Sequence, residues 1–302
     1  MSWLEVSVQV SRENAPLVEQ LLENESVLAL TLTDNADDPV LEPGVGETPL
    51  WPSVCITALF GADQAREPLS RLLSLVPGVD RPQQVSFRKI EDQQWERVWL
   101  DRFKPMQFGR DLWIVPGDLE APDAAGYILR LDPGLAFGTG THPTTRLCLQ
   151  WIDGHDFQGC SVVDFGCGSG VLGIAAAIKG AIQVTAVDND PQALLATRDN
   201  ANRNQVLDKL SIVLPEQFRP GQADIVLANI LAGPLIDLSA DLLQALRPGG
   251  SLVLSGVLEE QAHEVIEAYR PYTDSLLLTK DNGWVCISGR KSATLSAARD
   301  VI

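Results

Sequence analysis

The chain has 302 residues, 45% of them hydrophobic and 21% charged, and a formal net charge of −17. That length accommodates two ordinary domains, and the acid excess argues against direct nucleic-acid binding, which needs clustered Lys and Arg. The excess serves either solubility alone or attraction of a basic partner. No apolar run approaches the roughly 20 residues of a membrane helix, and MSWLEVSVQV lacks the basic and apolar regions of a secretory signal. Cys55, Cys148, Cys160, Cys167 and Cys286 form no CxxC pair. A cytoplasmic protein without a metal site or membrane association is expected.

Leu4, Val6, Val8 and Val10 alternate with polar residues and predict a half-buried strand. A helix is expected over 13–24, where Val18, Leu21 and Leu22 share a face, and a strand over 27–34. The Pro/Gly-rich segment 37–52 reads as a long exposed loop. SVCITALF (53–60) predicts a strand, 62–75 a helix carrying Leu69, Leu72 and Leu73, and VSFRKI (85–90) another strand. The order βαββαβ is the ferredoxin-like arrangement. Trp95, Trp99 and Phe103 then recur at one-turn spacing and predict a connecting helix with an apolar stripe. Beyond it the strands SVVDFG, VTAVDN, LSIVLP, DIVLAN and GSLVLSG alternate with helices centred near 175, 196, 240 and 264. Such alternation predicts a mainly parallel sheet covered on both faces. The expected organisation is α/β: a small ferredoxin-like α+β domain at 1–92, a linker helix and connector at 93–110, a Rossmann-like domain at 111–290, and a loosely held tail at 291–302.

Two stretches carry the chemistry, DPGLAFGTGTHPTT (132–145) and VVDFGCGSG (162–170). In the second, a strand ends at Asp164 and the following glycines let the backbone approach a ligand at the open edge of a parallel sheet. Gly168, Gly170 and Gly173 also satisfy the dinucleotide pattern GxGxxG, with Asp188 placed to hold a ribose, so a nicotinamide-dependent dehydrogenase competes. Against it stand the acidic Asp164, which makes the motif DxGxGxG, and the lack of a later hydride-transfer site. A phosphate-binding loop is weaker still, because GLAFGTGT has no Lys. A ligand with a ribose, a positive centre and no phosphate satisfies these features, and S-adenosylmethionine is such a ligand.

WERVWLDRFKPMQFG, LDPGLAFGTGTHPTT, VVDFGCGSGVLGIAA, AVDNDPQAL, LANILAGPL and GWVCISGRK follow one another between about residues 95 and 291. In this order they resemble the ribosomal protein L11 methyltransferase family of bacteria. The N-terminal third matches in length and pattern rather than by motif. The resemblance implies a class I methyltransferase domain preceded by a small substrate-recognition domain. It also implies S-adenosylmethionine as cofactor and ribosomal protein L11 as substrate, methylated on its N-terminal amine and lysines up to the trimethyl level. Carried over residue by residue, Thr145 and Gly166 contact the methionine end of the cofactor, Asp188 accepts the ribose hydroxyls, Gly168 clears space, and Asn229 faces the methyl group and the incoming amine. Many amine or amide methyltransferases carry Asn-Pro-Pro-aromatic at this last position. Asn229-Ile230-Leu231 has no ring to clamp a planar amide, which suits a tetrahedral aliphatic amine.

The nucleophile must be a neutral amine. A free lysine, with pKa about 10.4, pays roughly 4.6 kcal/mol to deprotonate at pH 7, whereas an α-amine near 7.7–8.0 needs only about 1 kcal/mol. Repulsion between an ammonium and a sulfonium about 4 Å apart is worth roughly 4 kcal/mol at an effective dielectric near 20, so no strong base is required. His142 is a candidate proton relay; the alternative is a loop residue that orients Thr141 or a carbonyl. Phe137, Thr141 and Leu231 are candidate substrate contacts, Phe137 being either a wall for the lysine stem or a plug beneath the loop. Cys167 reads as a small filler. The competing functions are a related class I methyltransferase acting on another protein or a small amine, a dehydrogenase, and a non-catalytic ribosome-assembly module.

Overall fold

The computed structural model describes residues 2–35, 51–79, 81–91, 104–117, 119–123, 125–131 and 140–293. The chain divides into two compact units, Met1–Val98 and Trp99–Ile302. The connecting helix expected over 93–103 and the loop expected over 37–52 fall largely outside the described residues.

In the first unit, β1 (Ser2–Ser11), α1 (Ala15–Glu23), β2 (Ala29–Asp34), β3 (Ser53–Gly61), α2 (Arg66–Leu73) and β4 (Val85–Glu91) follow the expected order. The strands form an antiparallel sheet in the order β2-β3-β1-β4. Alternation decides which face is covered. Leu4, Val6, Val8 and Val10 are buried, as are Val54, Ile56, Ala58 and Phe60 on β3, and they pack with Val18, Leu22, Leu69 and Leu73 of the two helices. The second helix begins four residues later than 62, after an extended Ala65.

The second unit opens with a small sheet that the sequence patterns did not reveal. Strands β5 (Met106–Phe108), β6 (Leu112–Pro116) and β7 (Tyr127–Leu131) pair in that order. The connector expected to run to 110 therefore already belongs to the second unit by Met106. A helix also missed, α3 (Pro143–Asp153), starts inside the Gly/Thr/Pro-rich stretch. Then come β8 (Ser161–Phe165), α4 (Val171–Ile178), β9 (Gln183–Val187), α5 (Pro191–Arg203), β10 (Leu210–Val213) and β11 (Ala223–Asn229). Two short helices, α6 (Ala232–Asp237) and α7 (Ser239–Ala245), stand where one was expected near 240, and β12 (Leu246–Leu258), α8 (Ala262–Tyr269), β13 (Thr273–Asp281) and β14 (Trp284–Lys291) complete the unit.

The large sheet runs β10-β9-β8-β11-β12-β14-β13. All neighbours are parallel except that β14 lies antiparallel to both β12 and β13. One face packs α3, α4 and α5 through residues such as Leu149, Ile174 and Ala201 against Val162, Leu227 and Val253. The opposite face packs α6, α7 and α8 through Leu235, Leu242 and Val265 against Val163, Val226 and Leu254. Alternation along β8 and β11 thus sends successive residues into two separate cores. Strand order reverses between β8 and β11, and ligands of open α/β sheets bind at the carboxyl ends of the strands beside such a reversal.

The tail expected from 291 is held at its start. Lys291 Nζ donates to the Leu243 and Leu246 carbonyls at 2.7 Å each, and Ser292 N–H donates to the Tyr272 carbonyl at 2.9 Å. Strand pairing extends to Lys291 because Thr273 lies opposite it, a partner that short-range periodicity does not display.

Tyr269 is fully buried, and its hydroxyl donates to the Leu235 carbonyl at 2.6 Å, in the last turn of α6 where carbonyls lack helical partners. Tyr269→Phe removes that donor and is expected to cost about 1–2 kcal/mol. Urea denaturation should show a lower midpoint with an unchanged slope.

Candidate active site

The site lies where β8 and β11 diverge. After Phe165 the chain enters the loop Gly166–Gly170, whose amides at Gly166 and Cys167 both donate to the Val187 carbonyl, at 2.8 and 3.0 Å. Helix α5 holds the other side of the loop. Thr197 Oγ1 donates to the Gly168 carbonyl at 3.0 Å, and Asn200 Nδ2 donates to the Ser169 carbonyl at 2.9 Å. Neither residue was anticipated, since both sit among ordinary helix-surface residues in the sequence.

Asp188 follows β9. Its Oδ2 accepts the Gly168 N–H at 2.9 Å and its Oδ1 accepts the Asp190 N–H at 3.0 Å, so each oxygen keeps a lone pair. Gly168 and Asp188, separately named from the sequence, are therefore neighbours in space. Cys167 is buried with its Sγ 3.3 Å from Thr197 Oγ1, and burial pushes its thiol far up, which suits a filler and not a nucleophile.

Asp164 is the acidic residue of DxGxGxG. It is buried, its Oδ2 accepts the Gly173 N–H at 2.8 Å, and its Oδ1 has no hydrogen-bond partner among the described residues. Burial is the largest influence and pushes the carboxyl up to about 7, opposed by the Gly173 N–H and reinforced by the charge of Asp188.

Asn229 ends β11, opposite Ser255 of β12. Its Nδ2 donates to Thr145 Oγ1 at 3.4 Å, and its buried Oδ1 has no partner among the described residues. Thr145 is fully buried in the first turn of α3. Beside Asn229 opens a cavity of ≈ 320 Å³ lined by His142, Thr144, Asn229, Ile230, Leu231, Gly256 and Trp284. The structure thus brings His142, Asn229 and Leu231 together and sets Thr145 against Asn229. Thr141 is exposed, and its carbonyl accepts from Arg146 Nη2 at 3.4 Å. Phe137 lies outside the described residues.

Thr144, Gly256 and Trp284 were not anticipated. Trp284 lay in GWVCISGRK, but only the antiparallel insertion of β14 beside β12 carries it to the cavity. Its ring meets the His142 ring edge-on, with centroids 4.9 Å apart. Gly256 has φ of 87°, and a Cβ there would lie 2.1 Å from the Ile230 carbonyl oxygen.

His142 caps α3. Its backbone is extended, with φ of −70° and ψ of 140°, and its Nδ1 accepts the Thr144 N–H at 3.3 Å and lies 2.7 Å from Thr144 Oγ1. Desolvation lowers its pKa below 6.5. Among the described residues no group of three His, Cys, Asp or Glu is gathered as a metal site, and no helix is long and apolar enough to cross a membrane.

Numbered within the large sheet alone, the strand order reads 3-2-1-4-5-7-6 with the seventh strand antiparallel; with a glycine loop after the first strand and an acidic residue after the second, it is a class I methyltransferase fold. A family model described as Ribosomal protein L11 methyltransferase (PrmA) matches residues 2–292. The ribosomal protein L11 methyltransferase of Pseudomonas putida (strain GB-1) is 49% identical over 292 residues, covering 96% of this chain and 100% of the relative. That of Hahella chejuensis is 50% identical over 293 residues, covering 96% and 99%. A crystal structure of ribosomal protein L11 methylase from Lactobacillus delbrueckii subsp. bulgaricus superposes with a TM-score of 0.57 at 31% identity, covering 63% of this chain and 100% of that one. The chain belongs to the ribosomal protein L11 methyltransferase family.

The raised pKa of Asp164 links stability to pH. Between the unfolded value of 3.8 and the folded value of about 7, the folded chain retains a proton that the unfolded chain has released. The contribution of this group is therefore complete below pH 4 and is lost as pH rises towards 7. Without ligand, the stability of wild type relative to Asp164→Asn should fall by up to about 4 kcal/mol across that window and stay level above it. Denaturant titrations of both proteins at pH 4, 5.5, 7 and 8 measure the difference; a flat difference would contradict the assignment.

Proposed function

We propose that this chain transfers methyl groups from S-adenosylmethionine to amines of ribosomal protein L11, at the N-terminal α-amine and at lysine side chains. One observation carries the reading. Asn229 Oδ1 is a buried acceptor without a partner, on a residue that lines a cavity at the strand reversal. Buried acceptors are ordinarily satisfied, and an amine N–H supplies the missing donor. The names of the Pseudomonas and Hahella relatives support ribosomal protein L11 as the protein that bears the amine.

The residues present fit S-adenosylmethionine. The glycine loop leaves room for backbone contact, and Asp188 has a lone pair on each oxygen for two ribose hydroxyls. Thr145 and Gly166 are assigned to the methionine end, and the buried, half-unpartnered Asp164 carboxyl offers a counter-charge to a cation. When bound, this cofactor supplies an electrophilic methyl group on a sulfonium.

The remaining work belongs to the chain. Asn229 Oδ1 accepts an amine N–H and so orients the nitrogen lone pair. Ile230, Leu231 and Trp284 displace water from the amine and thereby favour its neutral form. Each transfer removes one N–H. With no aromatic clamp after Asn229, the nitrogen is free to rotate and be methylated again. The described residues that line the cavity all belong to the second unit, and the first unit is assigned here to recognition of the basic protein substrate.

Incubation with isotopically labelled S-adenosylmethionine and purified ribosomal protein L11, followed by mass spectrometry, tests the activity; label appearing on no amine would refute it. Asp188→Ala should weaken S-adenosylmethionine binding by about 2–4 kcal/mol, through loss of two charge-assisted hydrogen bonds. Calorimetry that finds unchanged affinity would remove the ribose assignment.

The pH dependence differs between the two amine types. Deprotonation is some 3 kcal/mol harder for lysine than for an α-amine. As pH falls from about 9 to 6.5, lysine methylation should decline earlier and further than α-amine methylation. Asn229→Ala should depress both with little change in cofactor affinity. Parallel profiles for the two amines would reveal a protein base that equalises them.

A further inference from the structure

We propose that His142 is a positioning residue: it fixes the first turn of α3 so that Thr145 pins the Asn229 amide, and it does not accept the substrate proton. The geometry runs through three residues. His142 Nδ1 accepts the Thr144 N–H at 3.3 Å, so that nitrogen carries a lone pair and no proton. The Thr144 hydroxyl, 2.7 Å from the same nitrogen, is then the donor in that contact. With Nδ1 bare, the neutral ring holds its hydrogen on Nε2. A nitrogen that already bears its hydrogen donates and cannot act as the base. Using Nε2 as a base requires the hydrogen on Nδ1, where it would confront the Thr144 N–H and abolish the cap.

The consequences of the cap reach the reacting amine. Thr144 is held at its N–H by the His142 ring, and its carbonyl oxygen lies 3.4 Å from Ser255 Oγ, whose single hydrogen goes to the closer Val285 carbonyl at 2.9 Å. Thr145 follows immediately, fully buried, and its Oγ1 receives the Asn229 Nδ2 at 3.4 Å. That bond commits the nitrogen end of the amide and leaves Oδ1 as the unpartnered end. A frayed first turn releases Thr145 and allows the amide to rotate. The groups around the cap agree with a neutral imidazole. Trp284 packs edge-on against the ring, and Arg146, one turn along the same helix, is engaged by Asp281 at 3.0 Å and by the Thr141 carbonyl at 3.4 Å.

The proposal rests on Asn229 Oδ1 being the acceptor of the amine. Its test is a series at one position: His142→Asn, His142→Ser, His142→Gln and His142→Ala in the full chain. Asn and Ser cap helices well and are not bases near neutral pH, Gln retains an N–H at the distance of Nε2 but caps poorly, and Ala does neither. With S-adenosylmethionine and ribosomal protein L11, Ala and Gln should lower kcat about five- to tenfold, the factor that corresponds to one lost cap, with little change in KM. Asn and Ser should return kcat to within about twofold of wild type and keep the wild-type pH profile. Thr145→Val combined with His142→Ala should lose no more than the worse single variant. Equal impairment of Asn, Ser and Ala, or a pH profile that loses its acidic limb in all four variants, would overturn the proposal. Asn and Ser preserve the cap and hence the fold, so the comparison survives an Ala variant that unfolds. Asn229→Ala with undiminished kcat would instead refute the acceptor reading on which this one stands.

Discussion

Ile230 passes between two glycines, and the site is built around that passage. A Cβ at Gly166 would lie 2.1 Å from the Ile230 Cγ2, and one at Gly256 would lie 2.1 Å from its carbonyl oxygen. Both glycines hold positive φ, at 71° and 87°, which other residues adopt at a cost. The loop after β8, the end of β11 and the C-terminal part of β12 can therefore close on one residue from both sides. Asn229, one position earlier, inherits its place from this contact, and the cavity opens next to it.

Around that point the protein keeps polar groups in conditions that do not favour folding. The Asp164 carboxyl and the Asn229 amide oxygen are both buried without full hydrogen bonding, one at the end of β8 and the other at the end of β11. Each unsatisfied group destabilises the ligand-free chain by about 1–3 kcal/mol. Two extensive apolar cores on opposite faces of the sheet offset this, and bonds from Thr197 and Asn200 brace the loop. The cofactor and amine proposed for this site would supply a cation and N–H donors to these two acceptors.

The legible parts of the fold were those governed by short-range pattern. Period-two alternation in β1 and β3 and the apolar runs of β8, β9 and β11 showed themselves because each strand is buried in a regular way. The hidden parts were those whose partners come from elsewhere. Strands β5 to β7 are three to five residues long, and they lie among Pro, Gly and Asp residues outside the strand–helix alternation that marked β8, β9 and β11. The helix α3 begins at Pro143 in a stretch of Gly, Thr and Pro that reads as loop, and its cap is a histidine, not one of the usual Ser, Thr, Asp or Asn. The antiparallel entry of β14 between β12 and β13 has no local signature at all.

The same division holds for the site. Gly166, Gly168, Asp188 and Asn229 were named from the sequence because a glycine turn, a strand-end acid and a strand-end asparagine are short continuous motifs onto which the family resemblance could be carried. Sequence also settled the family, through motifs that are themselves short and continuous. Tertiary structure alone decided what those residues touch: that Asp188 shares a hydrogen bond with Gly168, that Thr145 holds the Asn229 nitrogen, and that Trp284 and Gly256 finish the cavity. It also showed that His142, a candidate relay in the sequence, caps a helix, because its ring nitrogen meets a backbone N–H two residues on. Residue type limits the chemistry a side chain can perform, but protonation and direction depend on neighbours that only folding supplies.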